Sequence, residues 1–224
     1  MIDVVTSRNA NLNQAVLEEM YRMRHRIFVE GMKWEALRKP DGLERDQFDN
    51  EDAVYLLLKE EDGRVIGGHR LLPTTKPHLF STLFSDMCDV KGLRTGARIY
   101  ELNRTGVDKT LLTPESERVG LRMIMAGLFE FCVRAGIEQL TLLTPLNTLY
   151  RCLLMGVEVK PLGTPREIDG IPQAAVAFVT NQATLDNVRQ AFGIKENIVR
   201  YIAEDGEMPL SEIVTGALSR QAAA

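Results

Sequence analysis

The hydrophobic and polar positions along the chain follow patterns that predict both helices and strands. Within residues 11–30, apolar residues recur at the spacing of one helical face, whereas shorter apolar runs bounded by Gly, Pro or acidic residues are typical of strands. The predicted strands cover residues 2–6, 53–59, 64–72, 98–107, 137–143, 157–161 and 173–180. The predicted helices cover residues 11–30, 114–135, 147–155, 184–192, 195–203 and 210–219.

The order of these elements predicts the fold class. A helix is followed by an antiparallel meander that includes a hairpin turning at Glu60-Glu61-Asp62-Gly63, and then by a β-α-β-α-β series. This order predicts an α/β protein, a three-layer α/β/α sandwich with a mixed central sheet. Because the chain shows no internal repeat, low-complexity segment or linker, we expect residues 1–224 to form one domain.

Residues 31–50 interrupt the periodicity. This segment contains the only tryptophan, Trp34, together with many charges, and Phe28 and Phe48 lie near its ends. Segments of about 20 residues without secondary structure inside a compact domain are usually functional or disordered. The aromatic residues favour an ordered, functional loop over residues 31–50.

Composition excludes several classes of protein. The chain has 224 residues, of which 45% are hydrophobic and 26% charged, which excludes a disordered, collagen-like or coiled-coil protein. The net charge of −4 argues against a nucleic-acid binder, and the apolar runs are too short to span a membrane. The N-terminus has no secretory signal, and three cysteines without a CxxC pattern fit reduced thiols, so we expect a cytoplasmic protein. Three scattered histidines predict no metal site.

Charge is distributed unevenly near the N-terminus. Residues 20–40 are mainly basic, and residues 41–62 are mainly acidic. Adjacent segments of opposite charge can fold into an internal ion-pair network, present a basic face to an anionic ligand, or form a solvated surface of mixed charge.

The first candidate constellation combines a guanidinium with aromatic rings. Arg24 and Phe28 are four residues apart and would share a helix face, and Trp34 follows six residues later. An arginine beside two rings can hold a carboxylate and stack on a purine or a sulfonium. The alternative is an arginine at a helix end with both aromatic residues packed in the core.

Two further features lie in the next segment and strand. Glu44-x-Asp46-x2-Asp49 could orient the arginines or bind a cationic substrate, or could be an ordinary acidic turn. In Gly67-Gly68-His69-Arg70, two glycines within a strand suggest that something approaches the backbone closely. Arg70 would then be an anion clamp, and the alternative is a β-bulge with an exposed arginine.

A fourth feature is the run Tyr100-Glu101-Leu102-Asn103-Arg104. In a strand, Glu101 and Asn103 share one face. A carboxylate in a central strand is rarely fully buried unless it is paired or functional, so Glu101 is a candidate general base for an amine. The alternative is an internal ion pair with an arginine.

Taken together in this order and spacing, these residues resemble the signature of the acyl-homoserine-lactone synthases, the LuxI-type autoinducer synthases of bacterial quorum sensing. The resemblance covers about residues 1–180. It implies a fold similar to the N-acetyltransferases (GNAT) and an acyltransferase that needs no cofactor. The expected substrates are S-adenosylmethionine and an acyl thioester, on coenzyme A or on acyl carrier protein. The amine of S-adenosylmethionine would be acylated, and lactone closure would release methylthioadenosine.

The resemblance also implies roles for individual residues. Glu101 would be the base, and Arg70 and Asn103 would belong to the network around the thioester. The residues implied to bind S-adenosylmethionine are Arg24, Phe28, Trp34, Asp46, Asp49 and Arg104. Those implied to line an acyl pocket are Met125, Leu142, Thr144, Leu146 and Met155, although such residues also fit plain core packing. Those implied to bind phosphopantetheine are Arg118, Gly120 and Arg122, although a helix start with exposed arginines fits equally.

The chain departs from the family pattern after Glu101. Asn103 stands where many relatives carry Ser, and Thr105-Gly106 replaces an aromatic residue, which leaves the acyl preference open. The segment 34–42 is similar to a subgroup that uses coenzyme A thioesters with branched or aryl acyl groups. Two other functions fit parts of the pattern: an N-acyltransferase acting on another small amine, and a non-catalytic sensor of S-adenosylmethionine or coenzyme A.

Overall fold

The structure, a computed structural model, describes residues 1–60 and 62–214 and divides into two compact units. The first unit comprises residues 1–70, 104–128 and 197–209, and the second comprises residues 71–103, 129–196 and the chain from residue 210. The strands are β1 (Ile2–Val5), β2 (Val54–Lys59), β3 (Val65–Pro73), β4 (Ile99–Val107), β5 (Gln139–Pro145), β6 (Val159–Pro161), β7 (Arg166–Ile168), β8 (Ile171–Val179), β9 (Val199–Arg200), β10 (Ile202–Ala203) and β11 (Gly206–Glu207). The helices are α1 (Gln14–Arg24), α2 (Leu79–Thr82), α3 (Pro114–Ala135), α4 (Leu146–Leu154) and α5 (Gln182–Phe192).

The first unit is built on strands in the order β3-β2-β1-β9. β1 is antiparallel to β2, with Val4 opposite Leu56, and parallel to β9, with Ile2 opposite Val199. All four residues of β1 are buried, as expected of a strand with neighbours on both sides.

The second unit contains strands in the order β6-β8-β5-β4, and β7 also pairs with β8. β4 is parallel to β5, with Glu101 opposite Thr141, whereas β5 and β8 are antiparallel, with Leu142 opposite Val176. Parallel and antiparallel pairs therefore occur in both units. The predicted α/β class with a mixed central sheet is confirmed. The single-domain expectation stays a prediction.

The predicted helix over residues 11–30 is divided into three parts. A 3-10 turn spans Ala10–Asn13, α1 follows, and a π-helical turn spans His25–Gly31. A π turn holds an extra residue per turn and is common at functional sites. The chain then reverses at Lys33, which has a positive φ of 62°.

The longest helix, α3, begins and ends where the sequence indicates. Pro114 opens it with Glu115 and Glu117 in the first turn, where acidic side chains complement the helix dipole. Gly136 follows its last residue with a φ of 78°, a conformation that glycine adopts without steric cost. Within the part of the chain that the structure describes, no helix has the length and apolarity needed to cross a membrane.

The prediction of a helix over residues 195–203 is wrong, because this segment forms β9 and β10. Ile2 N–H donates to Ile198 O at 2.7 Å, and β9 continues the pairing along the open edge of β1. Strand propensity depends strongly on the neighbouring strand, so this edge decided the outcome. The helix predicted over residues 210–219 lies partly outside the described residues.

Candidate active site

Three arginines and three carboxylates form a closed ring of ion pairs in the first unit. We call these six residues the charge ring: Arg24, Arg70, Arg104, Glu44, Asp46 and Asp49. Arg24, the last residue of α1, donates from Nε to Glu44 Oε2 at 2.5 Å. Its Nη1 and Nη2 donate to the two oxygens of Asp49 at 2.7 and 3.0 Å. This bidentate geometry is the strongest form of an arginine–carboxylate pair.

The other two arginines close the ring. Arg70 on β3 donates from Nη1 and Nη2 to Asp46 at 2.6 and 3.0 Å, and its Nη1 lies 2.9 Å from Asp49 Oδ1. Arg104 on β4 donates from Nη2 to Glu44 Oε1 and to Asp46 Oδ2, both at 3.0 Å. Each arginine therefore bridges two carboxylates, and each carboxylate bridges two arginines. The carboxylates of this ion-pair network come from the acidic residues 41–62, as the charge pattern allowed, but Arg24 is its one arginine from the basic residues 20–40.

The charge ring is balanced and ionised. Burial alone would raise the pKa of the Asp49 carboxyl, but the charges and hydrogen bonds of Arg24 and the charge of Arg70 hold that pKa well below its ordinary value of 3.8. The pKa values of Glu44 and Asp46 are lowered in the same way, against burial, by the arginines that they contact. Three positive and three negative charges thus cancel at neutral pH.

Tyr55 supports the ring from β2. Its hydroxyl donates to Asp49 Oδ1 at 2.8 Å. Burial raises the pKa of the Tyr55 phenol, and the negative charge of Asp49 raises it further, so the hydroxyl keeps its proton and acts as a donor. The sequence pattern does not indicate this contact, which only the structure shows.

Each arginine of the ring also lies over an aromatic ring. The distances from guanidinium carbon to ring centroid are 5.6 Å for Arg24 and Tyr21, 5.9 Å for Arg70 and Phe48, and 5.7 Å for Arg104 and Phe28. Such contacts are favourable where water is excluded. The aromatic residues that flank the segment 31–50 therefore fix it to the arginines.

Phe28 and Trp34 form a stacked pair next to the ring. Their centroids are 5.4 Å apart, with 14° between the ring planes. Trp34 N–H donates to Phe28 O at 3.0 Å, which closes the loop after the π turn. Phe28 is buried, but Trp34 is 38% exposed, so one aromatic face stays accessible.

Exposure is graded around the charge ring. The side chains of Arg24, Glu44, Asp49 and Arg70 are almost completely buried. Those of Asp46 and Arg104 are 16% and 8% exposed. The pair Asp46–Arg104 is thus the most exposed edge of the ring.

Arg104 has an unusual backbone conformation for a strand residue. Its φ is +49°, a left-handed value that non-glycine residues rarely adopt. The guanidinium of this residue also donates hydrogen bonds to Glu44 and Asp46, so the unusual backbone lies within the charge ring.

The glycines before Arg70 allow close strand packing. A Cβ on Gly68 would lie 2.4 Å from Leu56 O, and one on Gly67 would lie 3.0 Å from Gly106 O. The close approach expected here is therefore that of neighbouring backbone. Arg70 is buried, so the exposed-arginine alternative is wrong.

In the second unit, Glu101 on β4 is a buried carboxylate held by neutral donors. Phe80 N–H donates to Oε2 and Asn103 Nδ2 donates to Oε1, both at 2.8 Å. Among the described residues, no arginine pairs with Glu101, and the titratable side chain beside it is that of His78, whose Nε2 lies 3.9 Å from Oε2. A carboxylate in this setting can accept a proton from a bound amine.

The residues expected to contact the acyl chain lie on several elements. Leu142 and Thr144 are buried on one face of β5. Leu146 at the start of α4 is partly exposed, and Met155 after its end and Met125 on α3 are half-buried.

The helix α3 carries the expected phosphate-binding residues. Arg118 and Arg122 are exposed on its first turns. A Cβ on Gly120 would lie 3.3 Å from Val107 Cγ1 and 3.6 Å from Leu58 Cδ2, so Gly120 lets the helix pack closely on the strands.

Comparisons with known proteins indicate the family of the chain. The model of a family described as "Autoinducer synthase" matches residues 8–186. The isovaleryl-homoserine lactone synthase of Bradyrhizobium diazoefficiens is 38% identical over 196 residues, covering 87% of this chain and 86% of that protein. Solved structures of two CoA-dependent acyl-homoserine lactone synthases are also similar. BjaI, with SAM and isopentyl-CoA, has a TM-score of 0.85 and 35% identity, covering 97% of this chain and 99% of its own. MesI has a TM-score of 0.78 and 30% identity, covering 89% of this chain and 98% of its own.

Proposed function

Because the chain belongs to the autoinducer synthase family and is an acyl-homoserine-lactone synthase, we propose that it transfers a short branched acyl group from coenzyme A to the amine of S-adenosylmethionine. The support for coenzyme A is the similarity to BjaI and MesI, whose structures are described as CoA-dependent. The support for a branched chain is the 38% identity to the isovaleryl-homoserine lactone synthase. The segment 34–42 favours the same class of acyl donor.

The reaction has two steps. The amine of S-adenosylmethionine attacks the thioester carbonyl, an N–C bond forms, and the C–S bond to coenzyme A breaks. The carboxylate of the acylated intermediate then displaces the sulfonium at the γ-carbon. A lactone closes, and methylthioadenosine leaves.

The buried carboxylate of Glu101 carries the catalytic part of the proposal. An amine attacks only after it has lost its proton, so the first step needs a base. Glu101 is held by the Phe80 N–H and the Asn103 amide, both neutral, so no arginine neutralises it in the described contacts. We assign Glu101 as the base and Asn103 as the residue that orients it.

We place S-adenosylmethionine against the exposed face of Trp34 and the Asp46–Arg104 edge of the charge ring. A sulfonium or a purine stacks favourably on an indole, and Trp34 presents such a face with Phe28 behind it. Arg104 supplies a cation for the substrate carboxylate, and Asp46 an acceptor for the ammonium.

Arg24, Asp49 and Arg70 act from behind this edge. Their side chains are buried and paired with one another, so we assign them the task of fixing the position of Asp46 and Arg104. Rigid support of a binding edge avoids ordering costs when the substrate arrives.

The assignments for the acyl donor rest on smaller features. We propose that Arg118 and Arg122 contact the phosphates of coenzyme A, and that Leu142, Thr144, Leu146, Met125 and Met155 contribute to the acyl site. The three cysteines are free and buried, consistent with a reducing compartment, and we propose that the enzyme works in the cytoplasm.

A product assay tests the proposal. The purified protein is incubated with S-adenosylmethionine and, in parallel, with isovaleryl-coenzyme A, linear acyl-coenzyme A or acyl carrier protein charged with the same acyl groups. Mass spectrometry should detect methylthioadenosine and a branched acyl-homoserine lactone, formed fastest from isovaleryl-coenzyme A. Faster turnover with acyl carrier protein or with a linear chain would contradict the proposed donor.

A further inference from the structure

His78 is a buried histidine in the second unit that the steps above do not use. Its side chain is 1% exposed. Nδ1 lies 2.7 Å from Lys76 O, and because a carbonyl oxygen only accepts hydrogen bonds, Nδ1 must carry a proton. In the neutral tautomer with the proton on Nδ1, Nε2 is a bare acceptor. Among the described residues it has no hydrogen-bond partner, and it lies 3.9 Å from Glu101 Oε2.

The juxtaposition of two acceptors suggests a shared proton. His78 Nε2 and Glu101 Oε2 lie 3.9 Å apart between buried side chains, and no hydrogen bond joins them in the described part of the chain. Closure by about 1 Å would bring the two atoms into hydrogen-bond range once either one is protonated. The proton that Glu101 takes from the amine is such a proton.

We propose that His78 is a positioning residue that holds the amine proton behind Glu101, an inference that rests on the proposed function of Glu101. The N–H bond of the substrate ammonium breaks, and an O–H bond forms on Glu101. That hydrogen is then shared with or passed to Nε2, giving an imidazolium whose Nδ1–H stays on Lys76 O. When the C–S bond of the acyl donor breaks, that proton returns through Glu101 to the departing thiolate, and the second proton that the nitrogen loses on becoming an amide passes to solvent water.

The other groups around Glu101 are unsuited to this task. The Phe80 N–H and the Asn103 amide are donors to the carboxylate. Cys88 is a titratable group whose pKa is raised by burial and, in addition, by the negative charges of Asp89, Glu101 and Asp86, so it remains a protonated thiol. His78 thus combines an accepting nitrogen with proximity to Oε2.

Two variants of His78 distinguish a role in accepting the proton from a structural role. In His78→Asn, the amide nitrogen takes the place of Nδ1 and can still donate to Lys76 O, but nothing basic faces Glu101. In His78→Gln, the amide extends towards Glu101 without a basic atom. Ser81→Ala is the matched control, since it removes the bonds of Ser81 Oγ to the N–H and the carbonyl of His78 and leaves the imidazole in place.

The expected result is a tenfold or larger loss of kcat at pH about 7 in both histidine variants, with unchanged KM values and melting temperature. The ratio of wild-type to variant rate should fall towards 1 above pH about 8, where an α-amine is already neutral. In the Glu101→Gln background, His78→Asn should cause little further loss, because His78 acts through Glu101. For Ser81→Ala, the ratio of wild-type to variant rate should not vary with pH.

Several outcomes would overturn the inference. A ratio independent of pH, full activity of both variants, or additive losses with Glu101→Gln would each show that His78 does not handle the proton. Loss of the folded state in both variants, judged by circular dichroism, would assign His78 a structural role only. The proposed function fails separately, if the wild-type protein forms no methylthioadenosine and no lactone.

Discussion

Arg24 and Asp49 form a bidentate ion pair in which both side chains are 2% exposed. Twenty-five residues separate them in the chain, so their pair fixes the segment 44–49 to the end of α1. A buried ion pair adds little net stability, but a buried charge that loses its partner is strongly destabilising. The pair therefore favours the conformation in which both partners meet.

Replacing Arg24 tests this constraint. Arg24→Met keeps a similar volume but leaves Glu44 and Asp49 without their main counter-charge, so the free energy of unfolding should fall by about 3–5 kcal/mol. Urea denaturation measures the loss. Arg38→Met, which breaks the exposed pair with Glu35, should leave the transition unchanged. Equal effects of the two variants would contradict a structural role for the charge ring.

Substitution of Trp34 distinguishes a role in S-adenosylmethionine binding from a role in folding. Trp34→Ala should weaken S-adenosylmethionine binding by about tenfold while changing the melting temperature little, because the indole is partly exposed and stacks on one face only. Isothermal titration calorimetry gives the affinity, and Trp34→Phe should retain most of it. A large drop in melting temperature with unchanged affinity would show that the indole serves core packing instead.

Glu101→Gln removes the proposed base and keeps the shape of the side chain. The amide oxygen can still accept from Phe80 N–H, so folding and S-adenosylmethionine affinity should be preserved. The rate of acylation should fall by roughly 10²–10⁴-fold, the usual contribution of general base catalysis. Single-turnover kinetics measures this step, and near-normal turnover would remove Glu101 as the base.

His69 predicts how stability depends on pH. Its Nε2 donates to Ile124 O at 2.9 Å, and burial lowers its pKa from 6.5 to about 4. The unfolded chain therefore binds a proton before the native state does, and the stabilisation present above pH 6.5 is lost as the pH falls towards 4. The shift corresponds to about 3 kcal/mol of unfolding free energy.

Urea denaturation between pH 4.5 and 6.5 isolates this effect. The pKa values of Asp46 and Asp49 lie below 3.8, and that of Glu44 lies below 4.5. The stability that these carboxylates contribute is therefore lost only below the pH range of this experiment. His69→Gln can still donate to Ile124 O and should flatten the dependence. An unchanged slope in that variant would assign the effect to another group.

Gly68→Ala tests the packing of the strands behind the ring. A Cβ would lie 2.4 Å from Leu56 O, a backbone atom that cannot move independently, so the free energy of unfolding should fall by about 1–3 kcal/mol. Gly96→Ala is the control, because its neighbours are side-chain atoms of Ile99 at 3.3 and 3.4 Å. Thermal denaturation of both variants makes the comparison, and equal stability would contradict the close approach.

Local pattern was sufficient for most of the secondary structure and for the residue types of the site. The start of α3 at Pro114 and its end before Gly136 follow from side-chain chemistry within a few residues. The family resemblance rests likewise on the order and spacing of Arg24, Phe28, Trp34 and Glu101. Such features depend on short windows of sequence, where backbone geometry fixes which side chains share a face.

Contacts between distant positions were decided by the tertiary structure. Strand register and loop path decide that Arg24 meets Glu44 and Asp49 and that residues 199–200 pair with β1. They also bring His78 next to Glu101. The charges of a sequence specify that pairs can form but not which ones, because an arginine fits any carboxylate of suitable geometry. The three-dimensional fold makes that choice by excluding water from one set of partners, and it thereby joined an acidic segment to arginines from α1, β3 and β4 in the charge ring.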